Sequence, residues 1–194
     1  MPPDGGPATL LALARNPADL RAIALAGVIG ESLRAGRLPL VRGMEEGDFQ
    51  RLLARHFPGV TLANGAAPAV DPALDEFEDL VALLLDHAAE QDEDTRWLAL
   101  AVASASLGDN HLWQDMGLPG RRELSELLRR WFPSLHARNT GDMKWKKFFY
   151  RQLCERAEVL ICRSPSCAVC SDFHNCFGPE TGDAGAVRWL PRPG

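Results

Sequence analysis

The chain has 194 residues, 46% of them hydrophobic and 24% charged, enough apolar material for one folded domain and too much for a disordered chain. Mean hydropathy is −0.15, and the longest apolar stretch, residues 22–30, is too short to span a bilayer. A net charge of −5 argues against a general nucleic-acid binder, yet it conceals an asymmetry: residues 1–120 carry 8 Lys and Arg against 18 Asp and Glu, and residues 121–163 carry 11 against 5. A cationic segment in an acidic chain points to a local anionic ligand or partner, unless the basic segment simply faces the acidic one.

The opening Met1-Pro2-Pro3-Asp4-Gly5-Gly6-Pro7 lacks the positive charge and apolar core of an export signal, so a cytoplasmic protein is expected, with residues 1–15 as a flexible terminus. Asn16 followed by Pro17 predicts a helix start, and Leu20, Ile23, Ala24, Gly27 and Val28 follow at helical spacing until Gly36 and Pro39. A short helix over 48–57 stops at Pro58-Gly59, and 64–72 reads as a linker. Leu74, Phe77, Val81, Leu84 and Ala88 then form the stripe of an amphipathic helix. Residues 71–94 hold ten acidic side chains and no Lys or Arg, the pattern of a solvated face.

Asp94 or Thr95 is expected to cap a fourth helix through Trp97 and Val102 to Gly108. His111 to Asp115 reads as a turn or short helix, and 121–132 as a helix stopped by Pro133. The stretches ending in Phe57-Pro58 and Phe132-Pro133 echo one another as two amphipathic helices with one breaker. The last helix is expected over 142–157, with Trp145, Phe149 and Leu153 on one side, Phe148 flanking them, and Lys144, Lys147 and Arg151 opposite. The fold class is therefore all-α: a single helical domain over 16–158, a cysteine-rich metal-binding loop over 159–180 and a loose tail over 181–194.

Four of the five cysteines, Cys162, Cys167, Cys170 and Cys176, fall within fifteen residues with the spacing C-x4-C-x2-C-x5-C. An odd total crowded at one end does not read as a disulfide framework. Soft thiolates this close suit Zn²⁺ or an iron–sulfur cluster. The single close pair flanked by two lone cysteines leans toward a cluster, since four-cysteine zinc sites commonly use two close pairs. His174 lies inside the loop as a ligand, a donor to sulfur or a solvated residue, and His111 is a second candidate. Cys154, on the last helix, is a packing residue, an accessory ligand or a reactive thiolate activated by cationic neighbours. No glycine-rich phosphate loop, nucleophile elbow or zinc-protease helix is present.

The block His111-Leu112-Trp113-Gln114-Asp115-Met116-Gly117-Leu118, the run Asp142-Met143-Lys144-Trp145-Lys146-Lys147-Phe148-Phe149-Tyr150-Arg151-Gln152-Leu153-Cys154-Glu155, the cysteine loop and Cys176-Phe177-Gly178-Pro179-Glu180 together resemble the NifQ family of nitrogen-fixation proteins. The likeness is strongest over 75–180. It implies that the four loop cysteines hold an iron–sulfur cluster that takes up molybdenum and donates it to the scaffold assembling the iron–molybdenum cofactor of nitrogenase. On that reading the protein is a metallocluster donor and no turnover enzyme, it binds neither nucleic acid nor membrane, and Lys144, Lys147 and Arg151 are candidate contacts for molybdate or a partner. The alternatives are a zinc-stapled helical interaction module and a simple iron–sulfur redox protein.

Overall fold

The computed structural model describes residues 6–158 and 173–180, and among these there is helix and no strand. Two helices form the centre. α2 (Leu20–Arg34) and α5 (Glu93–Ser106) are apolar or small on nearly every side and bury most of their length, as helices surrounded by others must. Each is opened by an aspartate. Asp19 accepts the Arg21 N–H at 3.2 Å, and Asp92 accepts the Thr95 N–H at 2.7 Å.

The amphipathic helices close around this pair. α3 (Glu46–His56) contributes Phe49, Leu52 and Leu53, and α4 (Leu74–Asp86) contributes Phe77, Leu80, Leu83 and Leu84. α7 (Arg121–Trp131) adds Leu124, Leu127 and Leu128, and α9 (Trp145–Arg156) adds Trp145, Phe148 and Phe149. All belong to one continuous core. Among the described residues no helix is long and apolar enough to cross a membrane.

The two Phe-Pro echoes end alike in three dimensions. Phe57 and Phe132 share φ −132° with ψ 62° and 56°, both are fully buried, and each amide closes on the leucine four residues back, at 2.7 and 2.8 Å. The carbonyls before them, of His56 and Trp131, accept the amides of Arg15 and Ala89.

Four boundaries of this scaffold differ from the sequence reading. Asp92, rather than Asp94 or Thr95, caps α5, and Thr95 supplies the amide that it accepts. Residues 7–12, within the terminus read as flexible, form α1 (Pro7–Ala12), whose Leu10 and Leu11 are buried. Asp19 rather than Asn16 caps α2; the Asn16 side chain accepts the Ala18 N–H at 3.3 Å, so the polar turn precedes the helix. Pro133 both ends α7 and opens α8 (Pro133–Arg138), because its missing N–H costs nothing at a first helical position.

The His111–Leu118 block wraps a short helix, α6 (Leu112–Asp115), onto α2. Leu112, Trp113, Met116 and Leu118 are buried. A Cβ on Gly27 would fall on the Met116 carbonyl, so only glycine lets α2 approach the block this closely.

Candidate functional site

The start of α9 is set by the chain before it. Asp142 takes a left-handed φ of 53°, and the Asn139 side chain grips Met143 from both ends, accepting its N–H and donating to its carbonyl, each at 2.9 Å. The helix therefore begins at Trp145, not at 142, and Lys144 becomes its N-cap. No acidic residue occupies the first turn of α9, and no side chain caps it.

That turn receives the segment carrying Cys176. The Lys144 N–H donates to the Cys176 carbonyl at 2.8 Å, which docks the short helix α10 (Phe173–Phe177) against α9. Arg121 holds the same region together: it donates to Glu180 at 2.7 Å, to the Asp142 carboxylate at 2.8 Å, and to the carbonyls of Asp142 and Met143 at 2.9 and 3.0 Å. Within α10 the Phe173 and Phe177 rings stack at 4.6 Å. The Gly178 N–H closes on the His174 carbonyl at 2.7 Å, a turn in which a Cβ would collide with that carbonyl.

The opposite wall is the loop before α6. Lys146 reaches from α9 to the Gly108 carbonyl and to Asp115, both at 2.6 Å. Asp115, only 6% exposed at its side chain, also accepts the Asn110 backbone and side-chain amides at 3.1 and 2.9 Å. Gln114 accepts the His111 N–H at 3.1 Å. Lys146 is thus the bolt that fixes His111 near Lys144.

Between these walls lies a cleft of about 510 Å³, lined among others by Asp109, Asn110, His111, Lys144, Lys147 and Asn175. Lys144 and Lys147 form no ion pair with any described residue. The structure thus brings together His111, Lys144, Lys147 and the residue preceding Cys176. Arg151 does not join them. It lines a separate cleft of about 430 Å³ with Arg138, Gln152 and Phe177 and donates to Glu155 at 2.9 Å. Arg151 lies one turn beyond Lys147 on α9, past the end of the cleft that Lys144 and Lys147 line.

Cys154 and Cys176 are free and half-buried, and His174 is exposed on α10. Neither Cys154 nor His174 lines the cationic cleft. Cys162, Cys167 and Cys170 lie outside the described residues. Among the described residues no three His, Cys, Asp or Glu side chains converge as a metal site, so the convergence expected of the four cysteines concerns a loop of which only Cys176 is described. The sequence reading missed Lys146, Asp115, Arg121 and Asn175. The one available signal was composition: a lysine beside an aromatic helix and an aspartate inside an otherwise apolar block require partners when buried.

On the α4 side, α9 is tied through Tyr150, which donates to Glu76, and Arg156, which meets Asp86 at 2.9 Å. Burial, with Glu76 beside it, raises the Tyr150 phenol above its usual range. The acidic segment 71–94 meets basic residues elsewhere, at Arg42, Arg51 and Arg55, and leaves Lys144 and Lys147 free of it.

Comparison with known proteins supplies the family. The NifQ family model matches residues 24–178, which include the buried block, the cationic helix and Cys176. The chain is 42% identical over 156 residues to Protein NifQ of Azotobacter vinelandii, covering 74% of this chain and 80% of that protein. It is 37% identical to Protein NifQ of Rhodobacter capsulatus over 162 residues, 81% and 89% of the two chains, and 40% identical to that of Klebsiella pneumoniae over 152 residues, 73% and 89%. No solved structure matches. The chain belongs to the NifQ family of nitrogen-fixation proteins.

Proposed function

We propose that this protein is a cytoplasmic molybdenum carrier: it receives molybdenum on an iron–sulfur cluster held by Cys162, Cys167, Cys170 and Cys176 and donates it for biosynthesis of the iron–molybdenum cofactor of nitrogenase. Its cargo leaves with the acceptor, the cofactor-assembly scaffold, so the protein is a donor rather than a turnover enzyme. The observation that carries the reading is the seating of Cys176 beside the cationic cleft through the Lys144–Cys176 hydrogen bond. The donor set fits the cargo. Thiolates are soft ligands suited to iron–sulfur units, and Cys176 is a free thiol at intermediate exposure, neither locked in a disulfide nor sealed in the core. The chemistry at each end of the exchange also fits: molybdenum arrives as an oxyanion, which cations attract, and leaves in a sulfur environment, which thiolates supply. Neither nucleic acid nor membrane enters this scheme.

The test is anaerobic purification followed by analysis of iron, sulfide, zinc and molybdenum alongside visible absorption. The expected protein is brown, contains iron and sulfide, and takes up molybdenum. A colourless zinc protein overturns the carrier in favour of a zinc-stapled module, and a brown protein that never takes up molybdenum makes it a redox protein. Serine at any one of the four loop cysteines is expected to lower bound iron at least tenfold, roughly the loss seen when even an outer-shell partner is removed. Cys154→Ser is expected to retain most of the iron, because that thiol sits on a packed helix.

A further inference from the structure

We propose that the cleft between the 108–111 loop, the start of α9 and α10 is a binding site for a tetrahedral dianionic oxyanion, distinct from the cysteine thiolates. The identity of the anion as molybdate rests on the carrier reading; the site itself rests on the charges around the cleft. Of the three lysines at the start of α9, Lys146 is spent on Asp115 and Gly108, whereas Lys144 and Lys147 reach the cleft unpaired with any described residue. Of the two carboxylates on its lining, Glu180 is turned to Arg121 and only the exposed Asp109 remains open. Two ammonium groups facing one carboxylate leave a net cation for an anion to neutralise. His111 and Asn175 also line the cleft and carry side-chain nitrogens that can take part in hydrogen bonds, and the uncapped first turn of α9 adds no competing carboxylate.

The lining also explains why this is a site for a small anion and not for a basic-patch partner such as a nucleic acid. The charge is two lysines in a cleft, with Arg151 diverted to another groove. The site's floor is rigid, since the Lys146–Asp115 bolt and the Arg121 clamp fix both walls. Asn175 adjoins Cys176 in sequence, so an oxyanion held here waits one residue from the cysteine to which its metal is destined.

Equilibrium dialysis of the full chain against molybdate at low salt tests this, with tungstate, sulfate and phosphate as competitors. Lys144→Gln with Lys147→Gln is expected to weaken molybdate binding at least about tenfold, the equivalent of one charge-assisted hydrogen bond, with an unchanged melting temperature. Asp109→Asn is expected to tighten it about two- to threefold, a gain that misfolding cannot mimic. Arg151→Gln should bind as the parent does, and so should the chain with all four loop cysteines changed to serine. Tungstate should compete as molybdate does, and sulfate and phosphate more weakly.

Parent-like binding by the lysine double variant, no gain from Asp109→Asn, or loss of binding in the serine variant each overturns the cleft. Equal competition by sulfate or phosphate overturns it as a molybdate site. The two readings fail separately. An iron-free protein that still binds molybdate through Lys144 and Lys147 keeps the cleft and sinks the carrier, whereas an iron protein that loads molybdenum without either lysine does the reverse.

Discussion

On the face shared by α3 and α5, arginines and carboxylates saturate one another: Arg51 meets Asp48 and lies 2.9 Å from Glu93, Arg55 lies 2.8 Å from both Glu93 and Asp94, and Arg96 reaches Asp48 at 3.2 Å. At the cleft the lysines are divided, with Lys146 closed onto Asp115 while Lys144 and Lys147 stay open. The same classes of side chain thus serve two purposes, and what separates them is whether a carboxylate is within reach. Paired charge fastens elements to one another, and unpaired charge around a cleft is left for a ligand. Net charge along the sequence cannot reveal this division, because Lys144, Lys146 and Lys147 contribute equally to it.

The comparison can be broken most forcefully at the closed lysine. Lys146→Met leaves Asp115 buried with only the Asn110 amides, and should cost about 3 kcal/mol in urea unfolding. Molybdate binding should fall with it as the 108–111 wall loosens, even though Lys144 and Lys147 are untouched. Arg55→Ala should cost about 1 kcal/mol: its pairs are 45% exposed on the arginine side, and it also gives up the position 4.8 Å over the Trp97 ring. The open lysines sit at the other extreme. Changing Lys144 and Lys147 together to glutamine should alter stability by no more than about 0.5 kcal/mol, so a large loss there would mean they have structural partners after all.

The smallest effect is a pH slope at the paired face. Burial lowers the pKa of His56, opposed by Asp94, whose carboxylate lies 3.3 Å away, and by Asp19, and aided by Arg21. Folding therefore favours the neutral ring. Its contribution is complete above the unfolded value of about 6.5 and is lost as pH falls through the lower folded value. His87 shifts the same way, from burial first and then from Arg138 and Arg156. The lowered carboxylates, Asp71, Asp92, Glu93 and Glu126, lose their contributions only at more acidic pH, below their usual values near 4. Unfolding measured between pH 7.5 and 5 should show a decline that His56→Gln reduces and that His87→Gln reduces independently.

Much of the scaffold was legible because helical period and breakers agree with the packing. Leu74, Phe77 and Leu84 mark the stripe of α4, Pro58 and Pro133 mark helix ends, and the Phe-Pro echo corresponds to a shared terminal geometry. Elsewhere short-range signals competed. Asn16 and Asp19 are both good caps three residues apart, and only tertiary contacts decide between them. α1 is six residues long, too short to be stable alone, and exists through burial of Leu10 and Leu11. At the site, His111, Lys144 and Lys147 were legible by type, but their meeting depends on the turn at Asp142 and the Lys146–Asp115 contact, 31 residues apart in sequence. Arg151, one turn beyond Lys147 on α9, lines the other groove, and the turn that starts the helix late was signalled by Gly141-Asp142.

The hydrogen bond from Lys144 to Cys176 has a kinetic consequence. An amide proton held by a carbonyl exchanges with solvent deuterium only when that bond opens. The Lys144 amide is thus a single-site clock for undocking of α10 from α9, and it can be read without any probe attached to a cysteine. Its exchange rate relative to that of the Phe148 amide, which bonds the Lys144 carbonyl at 2.9 Å in the first turn of α9, distinguishes release of the cysteine-bearing segment from fraying of the helix end beneath it. Measured with and without molybdate, that ratio reports whether an anion in the cleft slows the undocking of α10.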